Sequence, residues 1–252
     1  MHFTKMQGLG NDYLYFFGPA PADAPALSRR LSDRHFGPGA DGLIFIAPSA
    51  RADFRMRIFN ADGSEAEMCG NGIRCVGKYV YDRGLTDKTE LLIETGAGLR
   101  RLQLHPENGK VVSVTAEMGR AVVTPGAEGD FVDLGNPHLV RFVPDAAQAP
   151  LSSLGPALCA SVPGGVNVEF VQVLDPERLR MRVWERGSGI TLACGTGACA
   201  SAAAAVSRGF CRAEQPIAVL LDGGTLRITV GTQGELRMEG PAKTVYEGEI
   251  EL

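Results

Sequence analysis

Short stretches in which apolar and polar residues alternate recur along the chain. Phe54-Arg55-Met56-Arg57-Ile58-Phe59 and Arg180-Met181-Arg182-Val183-Trp184 have the period of two expected of half-buried strands. Leu91-Leu92-Ile93-Glu94 and Ala218-Val219-Leu220-Leu221 read as further strands. Two segments follow a helical period instead. Residues 72–83 (GIRCVGKYVYDR) carry apolar side chains at helical spacing and stop at Gly84, and residues 197–208 (GACASAAAAVSR) are alanine-rich and stop at Gly209. Strand-like runs precede and follow each helix. The pattern predicts an α/β (α+β) chain with two β-rich lobes, each a sheet or barrel wrapped around one mostly apolar helix.

An internal repeat fixes how the lobes correspond. Leu9-Gly10-Asn11-Asp12-Tyr13 is echoed by Leu134-Gly135-Asn136-Pro137-His138, and Cys69-Gly70-Asn71-Gly72 by Cys194-Gly195-Thr196-Gly197. Arg83-Gly84 returns as Arg208-Gly209, and all three pairs are 125 positions apart. Looser echoes drift to offsets of 127 and 121, as small loop changes produce. A duplication follows, with a first lobe over 1–120, a second over 121–252, a cleft between them and the last strand (244–252) packing back on the first lobe.

Cys69 and Cys194 stand just before the predicted helices, each followed by glycines that let a ligand approach the backbone. Free N–H groups and the helix dipole at such a place bind a carboxylate and are expected to lower a thiol pKa towards neutrality. Inverting an α-carbon without a cofactor needs one group to take a proton from one face and another to deliver a proton to the opposite face. Two equivalent cysteines supply that pair. A lone cysteine is more often a small buried hydrophobe, and Cys75, Cys159, Cys199 and Cys211 are read so. Zinc is disfavoured, since Cys75 and Cys199 fall inside the helices and no histidine pair completes a ligand set. Around the same cleft the repeat places Asn11, Asn136, Asn60 and Glu185-Arg186, side chains that can hold an amino acid's carboxylate and ammonium groups. His138 follows Asn136-Pro137 there and is a candidate for assisting proton balance near a thiol; His2, His35 and His105 have no such context.

Composition narrows the partners. The 252 residues are 44% hydrophobic, and the 25 basic and 29 acidic residues, net charge −4, are dispersed without the basic block of a nucleic-acid binder. The N-terminus lacks the plan of a signal peptide and no run of 18 apolar residues is present. A cytoplasmic protein with reduced thiols is expected, binding neither nucleic acid nor membrane. A homodimer is a possible assembly.

Gly8-Leu9-Gly10-Asn11-Asp12-Tyr13, Phe59-Asn60-Ala61-Asp62-Gly63-Ser64, Cys69-Gly70-Asn71-Gly72, Gly135-Asn136-Pro137-His138, Glu185-Arg186-Gly187 and Ala193-Cys194-Gly195-Thr196-Gly197 resemble the diaminopimelate epimerase family nearly end to end. The resemblance implies interconversion of LL- and meso-diaminopimelate for lysine and peptidoglycan synthesis, with no cofactor and no metal, on a duplicated α/β fold. It makes Cys69 and Cys194 the acid–base pair and gives the reacting carboxylate to the amides of Gly70, Asn71, Gly195 and Thr196. Asn60, Asn136, Asn167 and Arg186 take the distal amino-acid end, Asn11 and Glu185 serve the reacting side, and His138 and Glu185 support proton transfer. The chain departs from some members at Gly42, where they carry glutamine, and at Ile190, where they carry glutamate. Competing readings are a racemase or epimerase of another amino acid on the same scaffold, a phenazine-pathway type of isomerase, which lacks the cysteine pair, and a non-catalytic binding or redox-sensing protein. A thiol assay with and without a substrate analogue separates the last.

Overall fold

The structure, a computed structural model, describes residues 1–251. The elements run β1 (His2–Gly8), β2 (Asn11–Phe17), α1 (Ala24–Ser32), β3 (Gly42–Pro48), β4 (Phe54–Asn60), β5 (Glu65–Ala66), α2 (Gly70–Asp82), β6 (Glu90–Thr95), β7 (Gly98–Glu107) and β8 (Lys110–Arg120). They continue with β9 (Val122–Thr124), β10 (Asp130–Asp133), β11 (Pro137–Phe142), α3 (Leu151–Ala160), β12 (Asn167–Asp175), β13 (Arg178–Glu185), β14 (Gly189–Thr191), α4 (Gly195–Ser207), β15 (Pro216–Leu221), β16 (Gly224–Val230), β17 (Glu235–Pro241) and β18 (Lys243–Glu249). The chain divides into two compact units, Met1–Ala116 with the stretch from Gly240 onward, and Glu117–Glu239. Among the described residues no helix is long and apolar enough to cross a membrane.

In the first unit β2 and β3 pair in parallel, which requires a crossover, and α1 supplies it. Strand alternation then separates two faces. Leu14, Phe16, Leu43, Phe45 and Phe59 pack with Leu27 and Leu31 of α1. The other face turns to α2: the Tyr15 hydroxyl donates to the Gly72 carbonyl, and Tyr15 stacks on Tyr79. Helix α2 packs against β1 and β2 and also against β7, so the sheet curls around it.

The second unit repeats this plan with the same register. Tyr13 opposite Gly42 becomes His138 opposite Asn167, Leu43 opposite Phe59 becomes Val168 opposite Trp184, and Ile58 opposite Ala66 becomes Val183 opposite Thr191. Val168, Phe170 and Trp184 pack with Leu151, Leu158 and Cys159 of α3. Helix α4 meets strands from β9 round to β16 and is buried on every side from Gly197 to Ala205. Alanine is the residue that permits this, having good helix propensity and a volume small enough for strands to close from all directions.

Both central helices begin two residues before the predicted starts, so Gly70, Asn71, Gly195 and Thr196 belong to their first turns. Both end alike. The Leu85 N–H bonds the Val80 carbonyl and that of Phe210 the Ala205 carbonyl, around Gly84 and Gly209 at φ +68° and +75°, the left-handed stop that glycine permits.

Ala202→Leu inserts a branched side chain where the structure leaves no room. Urea unfolding of this variant is expected to show a loss of about 1–3 kcal/mol or more, against little change for Ala26→Leu on the exposed face of α1.

Candidate active site

Cys69 is the N-cap of α2: its backbone is extended, and its Sγ accepts the Gly72 N–H at 3.3 Å. The thiol also reaches Asn11 Oδ1 at 3.3 Å. Asn11 is oriented for this because its Nδ2 donates to Asp41 Oδ2 at 2.7 Å, which leaves the carbonyl end for sulfur. Asp41 is held in turn by the Asp12 N–H and by Arg34. The Tyr13 hydroxyl adds a further hydrogen bond to the sulfur.

Beneath this turn lies a fully buried Arg74, which donates to the Gly70 carbonyl and to Asn71 Oδ1, both at 3.0 Å, and to the Pro241 carbonyl at 3.3 Å. Burial raises the Cys69 pKa, while the Gly72 N–H, Tyr13, the Asn71 N–H and the Arg74 charge all oppose the rise. Asn60, at the end of β4, donates from Nδ2 to Ser64 Oγ at 3.0 Å across a turn containing Gly63 at φ +84°. Gly42 has a steric reason here. A Cβ at that position would sit 2.2 Å from the Phe59 carbonyl oxygen and 2.9 Å from the Tyr13 ring, so no glutamine fits beside this tyrosine.

Cys194 caps α4 identically, accepting the Gly197 N–H at 3.3 Å, and is 6% exposed. Thr196 Oγ1 lies 3.5 Å from its sulfur and accepts from Asn136 Nδ2 at 3.3 Å. Glu185 accepts the Thr191 hydroxyl and a hydrogen bond from the Cys194 thiol. His138 Nδ1 lies 2.7 Å from Glu169 Oε1, both side chains being fully buried. Asn167 Oδ1 accepts the Arg186 N–H at 2.9 Å and its Nδ2 donates to the Pro137 carbonyl, while the Arg186 guanidinium donates to the Gly164 carbonyl.

The electrostatics overturn one expectation. Helix N-termini do not bring these thiols towards neutrality: burial dominates and both pKa values are raised. Cys194 is raised furthest, because the carboxylates of Glu185 and Glu169 add to burial. Glu185 is itself raised, by burial first and then by Glu169. Equivalent backbone thus carries opposite surroundings, with an arginine beside Cys69 and two glutamates beside Cys194.

The first unit gathers Asn11, Asn60, Cys69, Gly70 and Asn71; the second gathers Asn136, His138, Asn167, Glu185, Arg186, Cys194, Gly195 and Thr196. Tyr13, Asp41, Arg74 and Glu169 stand in the same clusters and sequence reasoning passed over them. The offset of 125 holds the missing signal, since Tyr13 and Ile44 correspond to His138 and Glu169.

Two predictions follow from these surroundings. Iodoacetamide at mildly alkaline pH is expected to alkylate Cys69 before Cys194, as mass spectrometry of time points would read. Glu185 titrates in the folded protein above its ordinary value of 4.5, so its charge costs stability at neutral pH and the cost disappears below about 4.5. Glu185→Gln should therefore raise the urea midpoint at pH 7, with a gain that shrinks towards pH 4.

The profile of the diaminopimelate epimerase family matches residues 3–124 and 131–245. A diaminopimelate epimerase of Bacteroides thetaiotaomicron is 50% identical over 262 aligned residues, covering 99% of this chain and 97% of the relative. Among solved structures, a phenazine biosynthesis protein of the PhzF family from Bacillus anthracis superposes with a TM-score of 0.80 at 18% identity, covering 100% of this chain and 99% of the other. A probable proline racemase from Agrobacterium radiobacter gives 0.74 at 17%, covering 100% and 93%. At these identities the two structures bear on the fold alone, whereas the family profile and the Bacteroides relative span almost all of the sequence: the chain belongs to the diaminopimelate epimerase family.

Proposed function

We propose that this chain interconverts LL- and meso-diaminopimelate by a two-base mechanism, with Cys69 and Cys194 exchanging the α-proton on opposite faces of one carbon. The observation that carries the reading is the duplicated N-cap: two thiols on equivalent helix ends, each beside the N–H donors of the helix's first turn. The amides of Gly70, Asn71, Gly195 and Thr196 receive the reacting carboxylate, and they stabilise the charge that moves into it as the proton leaves. Asn60, Asn136, Asn167 and Arg186 bind the distal amino-acid group. Asn11 and Glu185 serve the reacting side, with His138 and Glu185 supporting proton transfer.

Burial raises both thiols, but Arg74 and the Tyr13 hydroxyl oppose the rise at Cys69 while Glu185 and Glu169 add to it at Cys194, so Cys69 gives up its proton more readily than Cys194. The roles of the cysteines reverse with the direction of reaction. The working enzyme in this reading is cytoplasmic, takes a small amino-acid substrate and forms a homodimer, which the solution mass from sedimentation or light scattering would test.

In D₂O with LL-diaminopimelate, the protein should incorporate α-deuterium and form the meso isomer, while Cys69→Ala and Cys194→Ala each lose epimerisation by about 10²–10⁴-fold or more. A wild type that leaves diaminopimelate untouched removes the substrate assignment. Full activity in both variants removes the mechanism.

A further inference from the structure

We infer that Glu169 is a positioning residue of the epimerase site, holding the His138 imidazole in the tautomer that carries hydrogen on Nδ1 and leaves the Nε2 lone pair free. The inference rests on the epimerase reading for its kinetic consequences and on geometry for the tautomer.

The duplicated frame supplies a comparison within one molecule. In the first unit the place of Glu169 is taken by Ile44, and both abut the first turn of the central helix. A Cβ on Gly72 would lie 2.8 Å from Ile44 Cδ1, and one on Gly197 would lie 2.7 Å from Glu169 Oε1. An aliphatic side chain therefore satisfies the packing of this position. The second unit instead buries a carboxylate completely, a choice that packing does not explain and that carries a desolvation cost.

The companion exchange accounts for it. Where the first unit has Tyr13, the second has His138, and the two substitutions meet in the 2.7 Å contact between Nδ1 and Oε1. Strand register brings them together: β11 and β12 run in parallel with His138 opposite Asn167 and Val140 opposite Glu169, so both side chains rise from the same face towards α4. A carboxylate accepting the Nδ1 hydrogen fixes both ring orientation and tautomer. His138 Nε2 and Glu169 Oε2 are buried without a hydrogen-bond partner, so the lone pair on Nε2 is not spent on a structural bond. A proton arriving there makes an imidazolium that the carboxylate already faces. The other ionisable groups of the cluster are Glu185 from β13 and Cys194 from α4, and the Glu169 charge also favours the protonated thiol of Cys194.

The test compares wild type with Glu169→Gln, which keeps an acceptor oxygen and loses the charge, and Glu169→Ile, which copies the first unit. Histidine-labelled, substrate-free protein is examined by ¹⁵N NMR, with His138→Gln assigning the resonance, and diaminopimelate epimerisation is followed against pH. The Nδ1–H tautomer is expected in wild type and Glu169→Gln and is expected to be lost in Glu169→Ile. For kcat, a fall of about tenfold with a displaced pH profile is expected in Glu169→Gln, and one on the order of 10² in Glu169→Ile, with KM changing by less than about threefold. An unchanged tautomer in folded Glu169→Ile overturns the inference. So does a Glu169→Gln enzyme with the kcat and pH profile of wild type, which decides the matter if the isoleucine variant does not fold. If wild type does not act on diaminopimelate, the proposed function fails while the NMR comparison still decides the role of Glu169.

Discussion

A helix that begins inside a protein leaves backbone N–H groups without partners, and here each of the two central helices meets that demand with sulfur. Cys69 and Cys194 each accept the N–H of the residue three positions on, the geometry usually given to serine, threonine, asparagine or aspartate. Because the thiol is the cap, its position is fixed by the start of the helix, and the remaining donors of the first turn lie beside it. Thiol and N–H donors are thereby brought together on one short loop in each unit. The curled sheets, the alanine-rich helix α4 and the left-handed glycine stops keep that loop in place.

Duplication gives the two loops the same backbone, and substitutions at equivalent places set the two thiols in unlike surroundings. Arg74 and Tyr13 stand on one side; Glu169, Glu185 and His138 stand on the other. The register of the strands is identical where these residues sit, so the asymmetry is entirely one of side chains. Burial raises both thiols and so suppresses the charged form in general; the local charges decide which thiol is suppressed more.

Much of this was legible in the sequence, and the limits have physical causes. The repeat is visible at Asn11, Cys69 and Gly84 because turns and helix ends admit few residue types. Strands between them are free to vary as long as alternation holds, so Ile44 and Glu169 do not look alike, and Val168-Glu169-Phe170 reads as an ordinary strand. The apolar period begins only after Gly72 and Gly197 and so marks the helix starts two residues late, whereas first-turn position is set by the cap. The rise in the thiol pKa values is hidden in the sequence, because a helix terminus can be read there and the depth of burial cannot. Arg74 lay hidden for a similar reason: in a helix it resembles any polar residue, and only the structure shows it under the Cys69 turn with Gly8 clearing space for it, since a Cβ there would lie 2.9 Å from its Nη2.

Gly42 illustrates how a departure from the family pattern is absorbed. Opposite it in register stands Tyr13, whose ring fills the space a longer side chain at 42 would need. The tyrosine hydroxyl reaches the Cys69 sulfur, so β2 supplies a polar contact at this thiol. Its counterpart in the second unit is the pair Asn167 and His138, where a side chain is present at both places and the ring is smaller. The same two strand positions thus place a phenol beside one cysteine and an imidazole in the cluster of the other.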